Sequence, residues 1–210
     1  MRSDASSSTF TERARRDQIV AAATEVIAEA GYGRASVAKI AEHIGVSKSV
    51  VLYHFKSKND IIEAVVLAVF AAAAAYMVPA MTGAASSRDR LCAYIRSNIA
   101  FIEQNRVAAT AMVEIMTGYR SPDGLRLDQA AAAALPPTDA GLAALDPGSI
   151  FVDGLSDGQF RPLSPLFMKN ALRAALDGAV WELARDPDYD VIGYGEELVT
   201  IFDLAIRSQP

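Results

Sequence analysis

The chain has 210 residues, 51% of them hydrophobic and 21% charged, with 13 Gly, 9 Pro and a formal net charge of −5. This balance excludes a disordered, collagenous or Pro-rich linker chain. A single cysteine, Cys92, excludes an internal disulfide, and one Cys with two His leaves no Cys/His zinc cluster.

The polar start, Met1 to Thr9, has no apolar core of a signal peptide, so the expectation is a cytoplasmic globular protein. The net charge hides an asymmetry. Residues 1–60 carry nine Lys/Arg against seven Asp/Glu, and the remainder carries eleven against eighteen. Four of the five lysines are Lys39, Lys48, Lys56 and Lys58. Such a local cationic patch on an acidic body can bind phosphates, because the local field decides.

Helical spacing dominates and no segment alternates with period two, which predicts an all-α fold. After an arm at 1–10, Thr11 caps a helix whose apolar stripe is Ile19, Ala22, Ala23, Val26, Ile27 and Ala30, stopped by Gly31. Ser36 starts a short helix that Gly45 breaks, and Ser47 caps a second from Lys48 to about His54. Ser57 then caps a long helix expected to end at Pro79. Its window Ala64 to Ser87 is uncharged and long enough to span a bilayer. Its five-alanine run, Pro79 and Gly83 fit a long buried helix better.

Further helices are expected from Ser86 or Ser87 to Gln104, Arg106 to Tyr119, Asp123 to Leu135, Gly148 to Leu155, Ser164 to Arg185, and Ile192 to Arg207. Pro136-Pro137 closes the third of these.

Ser36 to Phe55 has the spacing of a helix-turn-helix. Ala41 is small where a second helix would cross, and Gly45 tolerates positive φ in the turn. Ile40, Ile44, Val46 and Val51 lock the pair, leaving polar groups of the second helix outward for a major groove.

The stretch Gly31-Tyr32, Ser36-Val37, Ile40-Ala41-Glu42, Gly45-Val46-Ser47-Lys48, Tyr53-His54-Phe55 and Lys58 resembles the DNA-binding domain of the TetR family of transcriptional repressors over roughly residues 11–65. Gly158-Gln159-Phe160-Arg161, followed by two long helices, is similar to many members as well. The resemblance implies an N-terminal three-helix DNA-binding domain, residues 11–56, joined to a larger helical ligand-binding and dimerisation domain, residues 57–210. Leu52 departs from the pattern, where an aromatic residue commonly contacts a phosphate; the adjacent Tyr53 takes that expected role.

The remaining expected DNA contacts follow from chemistry. Ser36 and the helix start behind it can bind a phosphate oxygen, with Lys58 as the opposing clamp. Lys48 can donate to guanine O6 or N7, Ser49 can bond either base type, and Val50 can meet a thymine methyl group. His54 can reach backbone or base. Arg13, Arg15 and Arg16 would add nonspecific attraction or simply a solvated face.

In the body, the resemblance implies an effector cavity, for which Met77, Asn98, Phe101, Met112, Met116 and Tyr119 are the candidate lining, set against ordinary core. Asn98 falls on an apolar stripe and would need a partner if buried. The last two helices look like the family's dimer interface, with Ala171, Ala175, Gly178, Val199 and Phe202 as candidate contacts.

Gly31-Tyr-Gly33-Arg-Ala-Ser36 follows a helix and so fails as a dinucleotide fingerprint. Asp186, Asp188, Asp190 and Glu197 match a calcium-loop spacing, but Val191 stands where the turn needs Gly. The expectation is therefore a dimeric, ligand-responsive repressor of operator DNA, with no cofactor, metal site, membrane partner or enzymatic activity. The alternative is a regulator whose body binds a protein partner and no small molecule.

Overall fold

A computed structural model describes residues 4–121, 123–126 and 143–207. Among them the elements are nine helices: α1 (Asp4–Ala30), α2 (Val37–His43), α3 (Lys48–His54), α4 (Lys58–Thr82), α5 (Ser87–Gln104), α6 (Arg106–Gly118), α7 (Gly148–Ser156), α8 (Pro165–Arg185) and α9 (Val191–Ile206). The only pairing of extended backbone among the described residues is an antiparallel bridge between Phe160 and Arg207. The helix expected over Asp123 to Leu135 lies mostly outside the described residues; Asp123 to Arg126 are not helical.

The chain divides into two compact units, residues 1–69 with 110–135, and residues 70–109 with 136–210. The division falls inside α4, not ahead of it at residue 57. In the first unit, Ile19, Ala23, Val26 and Ile27 of α1, Ile40 and Ala41 of α2, Val51 of α3, and Ile61, Ile62 and Val65 of α4 are all buried, and α1, α2 and α3 pack on one another. Burying each larger aliphatic side chain contributes roughly 1.5–3 kcal/mol. That is why α4's first turns belong with the N-terminal helices.

In the second unit α5 packs on α9, α7 and α8. Gly195 lets α9 approach α5 closely, since a Cβ there would stand 2.9 Å from Ile99 Cγ2. The buried Tyr94 hydroxyl donates to the Leu145 carbonyl at 3.1 Å, and burial pushes its pKa up to about 12. The Phe160 ring fills the space a side chain at Gly154 would need, which gives the Gly158 to Arg161 motif a packing role.

Two boundaries differ from expectation. α1 is helical from Asp4, so the expected arm is largely helix; Thr11 lies inside it. α4 runs through Pro79 to Thr82. The proline removes only one backbone donor near the helix end, and buried Met77 and Met81 hold the turns on either side of it. Nor is α4 buried all round. It is long and apolar enough by composition to cross a bilayer, yet Leu67, Ala71, Ala72, Ala75 and Tyr76 are exposed. Alanine supports a helix by propensity alone and costs little in water.

Candidate nucleic-acid interface

The α2–α3 pair is built from its caps inward. Ser36 Oγ accepts from the Lys39 amide at 3.3 Å and starts α2. Gly45 adopts φ +67°, and the chain turns there with the Gly45 amide donating to the Glu42 carbonyl and the Val46 amide to the Ala41 carbonyl. Both bonds satisfy carbonyls that the helix end leaves open. Ala41 is 2% exposed where α3 crosses, and Val51 and Phe55 anchor α3 from below. His43 bonds Glu25 at 2.6 Å and ties α2 back to α1.

With Val51 inward, helical periodicity turns Lys48, Ser49, Leu52 and Tyr53 outward, and all four are exposed. Tyr53 is 78% exposed, a large apolar ring in water with no core function. Ser49 Oγ bonds Ser47 Oγ at 2.8 Å, which holds both hydroxyls at the leading end of α3. Val50 is half-buried at the edge of this face. His54 is half-buried, meets the Tyr53 ring edge-on at 5.0 Å, and its Nδ1 has no partner among the described residues. Ser36 keeps its hydroxyl proton for a phosphate oxygen, since the cap uses only its lone pair.

The clamp role expected for Lys58 does not hold in this conformation. Its ammonium donates to the Tyr32 carbonyl at 2.7 Å and lies 4.1 Å over the Tyr32 ring centre. Burial there pulls its pKa down. What starts α4 is instead a capping box: the Asp60 amide donates to Ser57 Oγ at 3.1 Å and the Lys56 amide to the Asp60 carboxylate at 3.0 Å. The Ser57 hydroxyl beside Asp60 holds that carboxyl below its ordinary range.

Arg16 is also spoken for. It stacks 4.1 Å over Phe55 and donates to the His54 carbonyl, so it clamps α1 to the end of α3. Arg15 bonds Gln18 at 2.6 Å. Lys39 and Lys56 of the cationic patch are exposed here, and so is Leu52, which the sequence reading left out of the contacts. Leu52 could have been found from its spacing to Lys48 and Ser49 on one helical face.

The residues expected to line an effector cavity divide between the two units. In the second, Met77 is buried and Asn98 donates to its thioether at 3.7 Å, which supplies the partner a polar group on that stripe needs. Phe101 packs on the Tyr76 ring at 6.0 Å. In the first, Met112 and Met116 are half-buried. Tyr119 donates to Glu63 at 3.3 Å and meets Tyr32 edge-on; burial and the Glu63 carboxylate raise its pKa.

A groove of about 950 Å³ between α5 and α9 is lined by Tyr76, Arg88, Arg96, Val199, Asp203 and Arg207 among others, and by none of the six expected residues. Its charges are paired: Arg88 and Arg207 share Asp203, and Arg96 is bidentate to Glu196 at 2.8 Å.

The expected dimer contacts need correction. Val199 and Phe202 are buried within the protomer, because the α9 stripe that carries them faces α5. Gly178 is small because Tyr194 crosses α8 there, a Cβ falling 2.8 Å from its hydroxyl; that hydroxyl donates to the Ala175 carbonyl at 2.6 Å. Ala171 is half-buried. The apolar residues α8 and α9 leave exposed are Leu166, Phe167, Trp181, Ile192, Ile201 and Leu204. In the acidic loop, Asp186 accepts the Asp188 amide and Asp190 caps α9 through the Gly193 amide.

Residues 19–65, the segment that builds this face, match the sequence model described as bacterial regulatory proteins, tetR family. The fatty acid metabolism regulator protein of Bacillus subtilis is 45% identical over 51 residues, 24% of this chain and 26% of that protein. The HTH-type transcriptional activator FasR of Mycolicibacterium smegmatis is 34% identical over 91 residues, 43% of this chain and 42% of that one. The chain thus spans about a quarter and two fifths of the lengths of these curated relatives. The crystal structure of FadR from Bacillus subtilis in complex with stearoyl-CoA shares the fold, with TM-score 0.73 and 22% identity, covering 90% of this chain and 98% of that one. Residues 19–65 thus carry the sequence pattern of the tetR-family model, and the chain as a whole is similar in its all-helical fold to FadR.

Proposed function

We propose that the chain is a dimeric repressor that seats α3 in the major groove of operator DNA and is released by an amphipathic effector with a long apolar chain. The observation that carries the reading is the outward face of α3. Lys48, Ser49, Leu52 and Tyr53 stand exposed on a helix that Val51 and Phe55 anchor rigidly, and a donor set over an apolar surface suits base edges and thymine methyl groups. Lys39, Lys56 and Ser36 supply positioning contacts to phosphate.

Dimerisation is supported by the exposed apolar residues of the last two helices, with Phe167 and Trp181 on one face of α8 and Ile201 and Leu204 on one face of α9. Two readers must be held about one DNA turn apart, and the effector acts by favouring the dimers that do not fit. The effector class is carried over from FadR of Bacillus subtilis, solved with stearoyl-CoA.

The test is a gel-shift titration with the duplex upstream of the chain's own gene, repeated with stearoyl-CoA and with free stearate. A shifted band that competes against random DNA and is released by the thioester supports the whole reading. A stable band indifferent to both ligands would leave the DNA reader standing and remove the acyl effector.

A further inference from the structure

Tyr32 is where three elements of the N-terminal unit meet, and its contacts divide by side. Toward α6, its amide donates to Glu114 Oε2 at 3.1 Å, and its ring lies so close over Gly118 that a Cβ there would stand 2.5 Å from Cδ1. The Tyr119 ring meets its edge at 6.4 Å. Toward α4, its carbonyl and ring face both hold the Lys58 ammonium. Gly31, with φ +82°, makes the turn that places the residue there, immediately ahead of α2.

The Lys58 site is chemically incomplete. A carbonyl dipole and a π face hold a full positive charge, and no carboxylate pairs with Lys58 among the described residues. The other ion pairs described in this protein match guanidinium, ammonium or imidazole to carboxylate. A cation held by a carbonyl dipole and a π face has no counter-charge there, so a phosphate oxygen, which brings a full negative charge, competes for it. Lys58 sits in the first turn of α4, the connection from α3, so a rotamer change suffices to redirect a four-carbon stem.

We propose that Tyr32 is a positioning residue for phosphate binding: it holds Lys58 in reserve, and the last turns of α6 decide whether Lys58 stays on Tyr32 or moves to the DNA backbone. The inference rests on the DNA-binding reading above. It differs from a change in half-site spacing, because it changes how many phosphates each reader neutralises. Glu114 and Gly118 are the levers, since both bear on Tyr32 and neither touches Lys58.

Salt dependence counts phosphate contacts directly, with a slope of about −0.9 in log affinity per contact on duplex DNA. Anisotropy of a labelled duplex from upstream of the gene is measured across a salt series for the full chain, Lys58→Gln, Lys58→Arg, Gly118→Ala and Tyr32→Leu. Lys58→Gln is expected to reduce the slope by about 0.9 per reader, and Lys58→Arg to restore it. Gly118→Ala drives a methyl group into the Tyr32 ring and is expected to tighten binding by about 2- to 5-fold, the worth of an exposed cation–π contact. That gain vanishes in the Gly118→Ala/Lys58→Gln double variant.

Tyr32→Leu removes the π face without adding bulk and repeats the test should Gly118→Ala fold poorly. An unchanged slope in Lys58→Gln overturns the proposal, as does a gain from Gly118→Ala that persists without Lys58. If those failures occur while Lys48→Ala still weakens binding, the reader survives and only the Tyr32 latch falls. Absence of salt-dependent binding in every variant refutes both.

Discussion

Gly45 carries the turn on which the reader depends, and its replacement separates backbone cost from packing cost. Its φ of +67° lies in the left-handed region, and no atom lies within 4 Å of where a Cβ would stand. Gly45→Ala therefore creates no clash, and its whole effect is conformational. Holding an L-residue in that region costs roughly 1–2 kcal/mol. Alanine returns part of this, about 0.4–1 kcal/mol, by narrowing the unfolded ensemble.

The net loss expected is about 1 kcal/mol, or roughly 2–4 °C in Tm for a chain of this size. Gly33→Ala is the matched control, since Gly33 has neither a positive φ nor a near neighbour, and it should be neutral or slightly stabilising. Gly45→Asn should recover part of the loss, because Asn visits the left-handed region more easily. Urea melts followed by circular dichroism at 222 nm measure all three. Equal stability of Gly45→Ala and Gly33→Ala would refute the turn geometry.

Three further outcomes follow from the second unit. Asp203 accepts from both Arg88 and Arg207, and the Arg88 bond chiefly holds its pKa down to about 2. Because the folded value is depressed, its contribution is present above about pH 4 and lost as pH falls toward 2. Solvent around the half-exposed guanidiniums screens the pair, so Asp203→Asn should flatten the stability curve modestly across that window relative to the wild-type chain. Parallel curves would show the pair contributes nothing. Gly195→Ala should cost about 1–3 kcal/mol by overpacking Ile99, read from the urea midpoint; no change would mean that α5 and α9 part without strain. Leu204→Glu, at an exposed α9 position, should halve the sedimenting mass without shifting the single-chain melt, and an unchanged mass would move the dimer face elsewhere.

What the sequence made legible were features whose physics is local. Ser36 and Gly45 act within four residues of themselves, and the buried set Ile40, Ala41 and Val51 follows from helical period alone, so the reader's outline could be drawn without a structure. The starts of α5 and α8 were legible for the same reason, each marked by a capping Ser.

Most of the misreadings turn on neighbours distant in the chain. Lys58 stands at the start of α4 as a phosphate clamp would, and only the fold shows Tyr32, 26 positions earlier, holding its ammonium in this conformation. Val199 and Phe202 are apolar at helical spacing whether they face a second copy or α5, and periodicity cannot tell these apart. Gly178 looked like a close-packing site between protomers; a single tyrosine across the same protomer uses that space. Leu52 was set aside for lacking a ring, although its position on α3 places it outward with Lys48 and Ser49.

The central claim is that α3 reads DNA, and it is tested most directly by fluorescence anisotropy of two labelled duplexes, one from upstream of the gene and one of random sequence, with Lys48→Ala and Lys56→Ala compared at fixed salt. Lys48→Ala should weaken the upstream duplex by about 1–3 kcal/mol more than the random one, as loss of a base contact does. Lys56→Ala should weaken both alike, as loss of a phosphate contact does. Equal loss on both duplexes from Lys48→Ala, or none, would contradict the assignment of α3 as the reading helix.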